Sequence, residues 1–163
     1  QWAFTGRGRF NSKFWPIDYW RKLANFIKNK LGYNIIQLGS TGEDFLGDPI
    51  INYLGRTDFF SSLRMMQDAV LHIDIEGSLI HASEALQIPC ISLVGPSAKY
   101  WRHSRSNCIT YVAPDPSLCD IMECERFEGG WHYRCAKKDG YALCMESILP
   151  EDVWNVIINK INI

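Results

Sequence analysis

The chain has 163 residues, enough for one domain with a full hydrophobic core. Hydrophobic residues make up 47% of it and charged residues 21%, and both shares are ordinary for a globular protein. Its net charge of −1 argues against nucleic acid as a partner, and no apolar run reaches the about 18 residues that a membrane span needs.

Apolar runs alternate with amphipathic segments along the chain, starting with a predicted strand at residues 2–5. Pro16 suits a first helical turn and Gly32 suits a helix stop, so a helix is predicted at residues 17–31. Further strands are predicted at residues 34–38, 71–75, 91–94 and 109–112. Further helices are predicted at residues 49–54, 59–70 (capped by Asp58 or Ser61), 79–86 and 150–161. This alternation predicts an α/β fold with a Rossmann-like parallel sheet flanked by helices.

The most informative stretch is a strand, a turn and a helix within residues 73–82. The apolar run ends at Glu76, Gly77 and Ser78 form the turn, and His81 lies in the first turn of the helix. Open parallel sheets bind ligands beyond the carboxyl ends of their strands, and amides at a helix start favour anions. The pattern therefore predicts a site for a small phosphorylated ligand, with Asp74 as a competitor for the acidic role.

Side chains from other strand ends are candidates for the same site. Lys13 follows the first predicted strand in a glycine-punctuated basic loop, where a fixed ammonium could neutralise a diphosphate without a metal. Thr5 could hydrogen-bond a phosphate or a sugar, and Ser40 and Glu43 could face a nucleoside. Each charged residue also has a plainer interpretation as a solvated loop charge or a helix cap.

Four of the six cysteines fall in one polar segment at about residues 115–146. Tetrahedral thiolate sites need four sulfurs, so a Cys-rich knuckle that holds a structural zinc or iron ion is predicted there. Two disulfides and free thiols remain the alternatives. The proposed ligands are Cys119, Cys124, Cys135 and Cys144, whereas Cys90 and Cys108 lie in strand-like runs and are expected to pack in the core.

Several short motifs, in order along the chain, resemble one family. They are Lys13-Phe14-Trp15-Pro16, a strand ending at Leu38-Gly39-Ser40, the turn Glu76-Gly77-Ser78-Leu79-Ile80-His81-Ala82, the run to Val94-Gly95-Pro96-Ser97, and Cys144-Met145 followed by Pro150-Glu151-Asp152-Val153. Together they resemble the carboxy-terminal half of heptosyltransferase-like glycosyltransferases of family 9, which have a two-domain B-type fold. The sequence departs from the family at Glu76, where the family has Asp, and at Phe14, where it has a second basic residue.

The resemblance implies that residues 1–163 form one nucleotide-sugar-binding domain, the carboxy-terminal half of a longer enzyme. It implies ADP-heptose as the donor and a lipopolysaccharide core sugar or a protein hydroxyl as the acceptor. The catalytic base would lie in the missing amino-terminal half, while Lys13 would stabilise the leaving group. No cofactor would be needed for catalysis, and the enzyme would be bacterial and cytoplasmic, or peripheral at the inner membrane.

Two other kinds of function remain open at the level of sequence. One is a non-catalytic interaction module in which an α/β scaffold carries the metal knuckle, since a fold alone does not establish a function. The other is a nucleotide-sugar epimerase or a related Rossmann enzyme. The missing Gly-x-Gly-x-x-Gly turn after the first predicted strand argues against a dinucleotide site.

Overall fold

A computed structural model describes residues 12–96, 107–120, 124 and 135–161 of the chain. The predicted strand at residues 2–5, and Thr5 with it, lies outside the described residues. Within the described residues, no helix is both long enough and apolar enough to cross a membrane.

The first described helix, α1, spans Ile17–Leu31, as its flanking residues predict. Pro16 precedes it, and Gly32 ends it in the left-handed conformation with φ 72°, which glycine adopts without strain. Leu23 and Ala24 are buried on its inner face. The helix therefore begins and ends where the local sequence dictates, and its apolar face sets how it packs.

Two short strands follow α1 and form a parallel pair. Strand β1 spans Ile35–Gln37 and strand β2 spans Ile50–Asn52, with Ile35 opposite Ile50. The predicted short helix at residues 49–54 is wrong because this segment extends beside β1 instead. Helix α2 (Phe59–Gln67) then begins at Asp58, whose side chain accepts a hydrogen bond from the Ser61 amide at 2.7 Å.

A second parallel sheet contains three strands in the order β3, β4, β5. Their bounds are His72–Ile75, Cys90–Leu93 and Ile109–Val112, and helix α3 (Ser78–Ala85) connects the first two. Strand β4 is central and buried along its whole length, as an inner parallel strand should be. The carboxyl ends of all three strands lie at one edge because the strands are parallel.

The chain closes with a short helix, α4 (Leu143–Glu146), and a longer one, α5 (Pro150–Lys160). Helix α5 packs against α1. The main core lies between these helices and the second sheet, and its fully buried members include Trp15, Leu93, Met145 and Val153. The loop before α1 and the segment around α4 thus share one core.

The described strands form two separate sheets, β1-β2 and β3-β4-β5. A cavity of about 520 Å³ lies between them, with a mainly apolar lining that includes Leu23, Ile35, Met66 and Ile73. The α/β class with parallel sheets and flanking helices is therefore confirmed. A continuous sheet is not observed among the described strands.

Candidate functional site

Lys13 and Glu76 meet at the carboxyl edge of the second sheet. The Lys13 ammonium donates to Oε2 of Glu76 at 3.5 Å, and the two residues are 63 positions apart in the chain. Their side chains are only 4% and 10% exposed. The pair thus places one positive and one negative side chain at this edge, where open parallel sheets bind ligands, so the edge is suited to a polar ligand.

The turn after β3 presents polar groups at the start of α3. Gly77 caps the helix in an extended conformation and supplies no side chain to its amides. The Ser78 hydroxyl is buried and has no hydrogen-bond partner among the described residues. Buried hydroxyls are normally bonded, so the turn has spare capacity for an acceptor. His81 is exposed three residues further along α3.

Glu43 is folded back on its own loop, beyond the end of β1. Its Oε1 accepts a hydrogen bond from the Ser40 amide at 2.7 Å, and the residue is 9% exposed. Burial raises the pKa of Glu43, and the Ser40 amide opposes that rise. The motif Leu38-Gly39-Ser40 gives Gly39 no role by itself, but an added Cβ there would lie 2.5 Å from the Glu43 carboxylate. Glycine is therefore needed there for this loop to close.

Asp74, the alternative acid, lies inside the molecule. It is 4% exposed, and its Oδ1 accepts from the Ile75 amide at 2.8 Å. Asp74 also lines a cavity of about 30 Å³ together with Phe14 and Glu43. Glu76, which directly follows β3, is the acid that pairs with Lys13.

The four cysteines of the predicted knuckle line one small cavity of about 20 Å³. Ser12 and Pro96 are part of the same wall. However, no group of three or more His, Cys, Asp or Glu side chains in the described residues is arranged to hold a metal ion. The six cysteines do not form a single cluster, because Cys90 lies buried within β4. The predicted metal knuckle is therefore not confirmed.

Cys144 is the most deeply buried thiol of this cavity. Burial raises the pKa of Cys144 to about 12, and the neighbouring Cys124 and Cys135 add to that rise. Cys119, Cys135 and Cys144 are thiols in the structure, so the alternative of two disulfides among the four cysteines is not observed.

Residues 2–107 match the family model described as glycosyltransferase family 9 (heptosyltransferase). The chain belongs to this family. The match includes Lys13, Glu43 and the Glu76 turn, and the predicted resemblance is thereby confirmed. The Cys segment at about residues 115–146 lies outside the matched range.

Individual family 9 relatives agree with this assignment. The chain is 22% identical over 134 residues to lipooligosaccharide heptosyltransferase 2 of Haemophilus influenzae, a match that covers 74% of this chain and 38% of the relative. Among solved structures, E. coli ADP-heptose lps heptosyltransferase II matches with a TM-score of 0.70 at 16% identity, over 93% of this chain and 43% of that one. E. coli heptosyltransferase WaaC with ADP-2-deoxy-2-fluoro heptose matches with a TM-score of 0.63 at 14% identity, over 96% and 41%.

These family 9 proteins are glycosyltransferases, and the chain spans about two-fifths of their length. The structural matches establish a shared fold.

Proposed function

We propose that this chain is the donor-binding half of a heptosyltransferase and that its ligand is a nucleotide-sugar, ADP-heptose. The donor diphosphate would lie beside Lys13 and the amides at the start of α3. Glu76 would accept hydrogen bonds from sugar hydroxyls, and Glu43 would accept them from the ribose. Ser40, Gly77, Ser78, His81 and Thr5 complete the proposed donor-binding set.

The reaction proposed for the whole enzyme is transfer of the sugar to an acceptor hydroxyl. The acceptor oxygen forms a bond to the anomeric carbon while the bond from that carbon to the diphosphate oxygen breaks. A carboxylate base from the other half of the enzyme takes the hydroxyl proton. Lys13 stabilises the negative charge that develops on the departing nucleoside diphosphate. The acceptor would be a lipopolysaccharide core sugar or a protein hydroxyl.

The observation that carries the proposal is the buried contact between Lys13 and Glu76 at the carboxyl edge. A diphosphate would give the ammonium a second anion beside Glu76, and sugar hydroxyls would donate hydrogen bonds to the carboxylate. The buried, unpartnered Ser78 hydroxyl on the same turn supports a polar ligand there. The WaaC structure contains an ADP-heptose analogue, which supports this class of donor.

Calorimetric titration with ADP tests the role of Lys13. We expect Lys13→Ala to weaken ADP binding by about 1–3 kcal/mol, the scale of a lost hydrogen bond to a charged group. The matched control is Lys22→Ala, because Lys22 is half exposed and pairs with Glu151 on the surface. Equal ADP affinity in Lys13→Ala and the wild type would remove Lys13 from the site. Failure of the wild type to bind ADP or ADP-heptose would favour the interaction module.

Competition between ADP and ADP-heptose tests the role of Glu76. We expect Glu76→Gln to keep the fold and lose the preference for the sugar nucleotide, because an amide offers one acceptor atom where the carboxylate offers two. The control is Glu84→Gln, further along α3. A Glu76→Gln variant with the wild-type preference would leave Glu76 as a helix cap only.

We also propose that Cys119, Cys124, Cys135 and Cys144 bind one structural zinc or iron ion. Their shared cavity supports this, because a metal ion there would be bound by four neighbouring sulfurs. With four protein ligands the ion would have no open position for a substrate. Its role would therefore be to stabilise the Cys segment.

Elemental analysis of protein purified without chelator tests the metal proposal. About one zinc or iron ion per chain is expected, and Cys124→Ser should lose it while the sheets stay folded. Cys108→Ser is the control, because Cys108 lies outside this cavity. Metal-free wild-type protein would overturn this proposal and leave the donor site untouched.

A further inference from the structure

The loop that carries Lys13 is buried although it is neither helix nor strand. Ser12, Lys13, Phe14, Trp15 and Pro16 are all buried. Loops normally run over the surface, where water satisfies their polar groups. Tertiary contacts of the neighbouring residues Trp15 and Ile17 therefore help to fix the position of the Lys13 backbone.

Trp15 makes the longest-range of these contacts. Its indole N–H donates to the carbonyl oxygen of Ile148 at 2.8 Å, across 133 positions of the chain. The ring is 2% exposed and meets Trp20 edge to face with 4.7 Å between ring centroids. Ile148 lies in the turn between α4 and α5. The hydrogen bond thus ties the Lys13 loop to the carboxy-terminal part of the chain.

A second hydrogen bond ties the same junction to that part of the chain. The backbone N–H of Ile17, the first residue of α1, donates to the Tyr141 hydroxyl at 3.3 Å. Tyr141 lies just before α4. Residues 141–148 therefore hold the chain at Trp15 and at Ile17, two and four residues after Lys13.

The two partners of the ion pair are held in different ways. Glu76 directly follows a strand paired along its length, so the sheet fixes its backbone. Lys13 lies in a turn outside the described strands, and its ammonium is 3.5 Å from the carboxylate. Binding groups need positions correct to about 0.5 Å, so a small shift of this loop would misplace the charge.

We propose that Trp15 is a positioning residue. Its hydrogen bond to Ile148, together with the one from Ile17 to Tyr141, fixes Lys13 for the donor diphosphate. This inference rests on the proposed donor site. Trp15 itself does not touch the ligand in this proposal and acts only through Lys13.

A double-mutant cycle on ADP affinity tests the inference. Trp15→Phe keeps an aromatic ring and removes the N–H donor, and we expect ADP to bind about fivefold more weakly, the effect of one neutral hydrogen bond. The same substitution should have no further effect in the Lys13→Ala background, because its effect passes through Lys13. A purely structural tryptophan would lower the melting temperature and leave the ADP affinity unchanged. Ile157→Val, in the same core, is the control for such a general loss of stability.

Tyr141→Phe keeps the test open if Trp15→Phe does not fold. It removes the hydroxyl that accepts from Ile17, and the same cycle with Lys13→Ala applies. Wild-type ADP affinity in the folded variant, alongside weakened binding by Lys13→Ala, overturns this inference alone. An equal loss in both backgrounds also overturns it. Wild-type affinity in Lys13→Ala overturns both the inference and the proposed role of Lys13.

Discussion

The carboxylate of Glu43 is buried, and its burial makes the stability of the fold depend on pH. Its pKa is raised by burial, so the folded state favours the protonated form more than the unfolded state does. Such a group stabilises the fold below its unfolded pKa, and that contribution is lost as the pH rises through the folded pKa. At neutral pH the charged carboxylate is therefore a net cost to folding.

We expect Glu43→Gln to raise the melting temperature at pH 7.5 by on the order of 2 °C. The amide oxygen can still accept from Ser40, and the desolvated charge is gone. The gain should shrink towards pH 4, where the wild-type carboxyl is protonated as well. Scanning calorimetry at both pH values measures it, with the exposed neighbour Asp44→Asn as control. A lower melting temperature at pH 7.5 would mean that the Ser40 hydrogen bond to the charged form outweighs burial.

Sequence reasoning at the residue scale found the site candidates but not their pairing. The sequence predicts both Lys13 and Glu76 as site residues, because each follows a predicted strand and the carboxyl edge of a parallel sheet collects such residues. Their contact depends on how a loop of residues 12–16 is buried under α4 and α5. Trp15 shows the same limit, since nothing near it in the sequence identifies Ile148 as its acceptor.

Elements with strong local signals were predicted well. Helix α1 has the predicted bounds because Pro16 and Gly32 mark both ends, and strand β5 has them as well. The pattern wrongly predicts a helix where β2 lies, because three residues are too few to show a period. Helix α4 was missed for the same reason, with only four residues.

The end of β4 packs closely against α4, and this close approach is testable at the scale of elements. A Cβ added at Gly95 would lie 2.4 Å from the Met145 sulfur and 3.0 Å from the Cys144 sulfur. Met145 is fully buried, so it has little space to move. We expect Gly95→Ala to lower the free energy of unfolding by about 1–3 kcal/mol, as overpacking does. Urea denaturation measures this loss.

Met145, whose sulfur a Cβ at Gly95 would contact, provides the control. Met145→Ala opens space at the contact, so adding Gly95→Ala to it should cost much less than Gly95→Ala alone. Additive costs in the double variant would mean that Gly95 is intolerant for a reason other than Met145.

At the scale of the whole molecule, sequence pattern predicts the class of fold and leaves its assembly open. The alternation of strands and helices predicts parallel sheets, which the structure contains. The separation into β1-β2 and β3-β4-β5 does not follow from the pattern, because strand neighbours are chosen by packing. The cysteine spacing likewise predicts four neighbouring thiols, which line one cavity, but it does not predict how the described part of the chain arranges them.

The chain is shorter than the family members it matches, and this affects what residues 1–163 can do alone. Residues 1–163 correspond to about two-fifths of the matched transferases, and the proposed base belongs to the remaining part. We expect a protein of these residues alone to bind ADP with a dissociation constant in the micromolar to millimolar range, because the proposed donor-binding half would supply only one side of the cleft. It should transfer no sugar from ADP-heptose to a lipopolysaccharide acceptor, and mass spectrometry of the acceptor measures this. Lys13→Ala should weaken the ADP binding and so identify it with the proposed site. Sugar transfer by these residues alone would mean that the chain contains its own base, and the buried carboxylates Asp74 and Glu43 would then be the first residues to substitute.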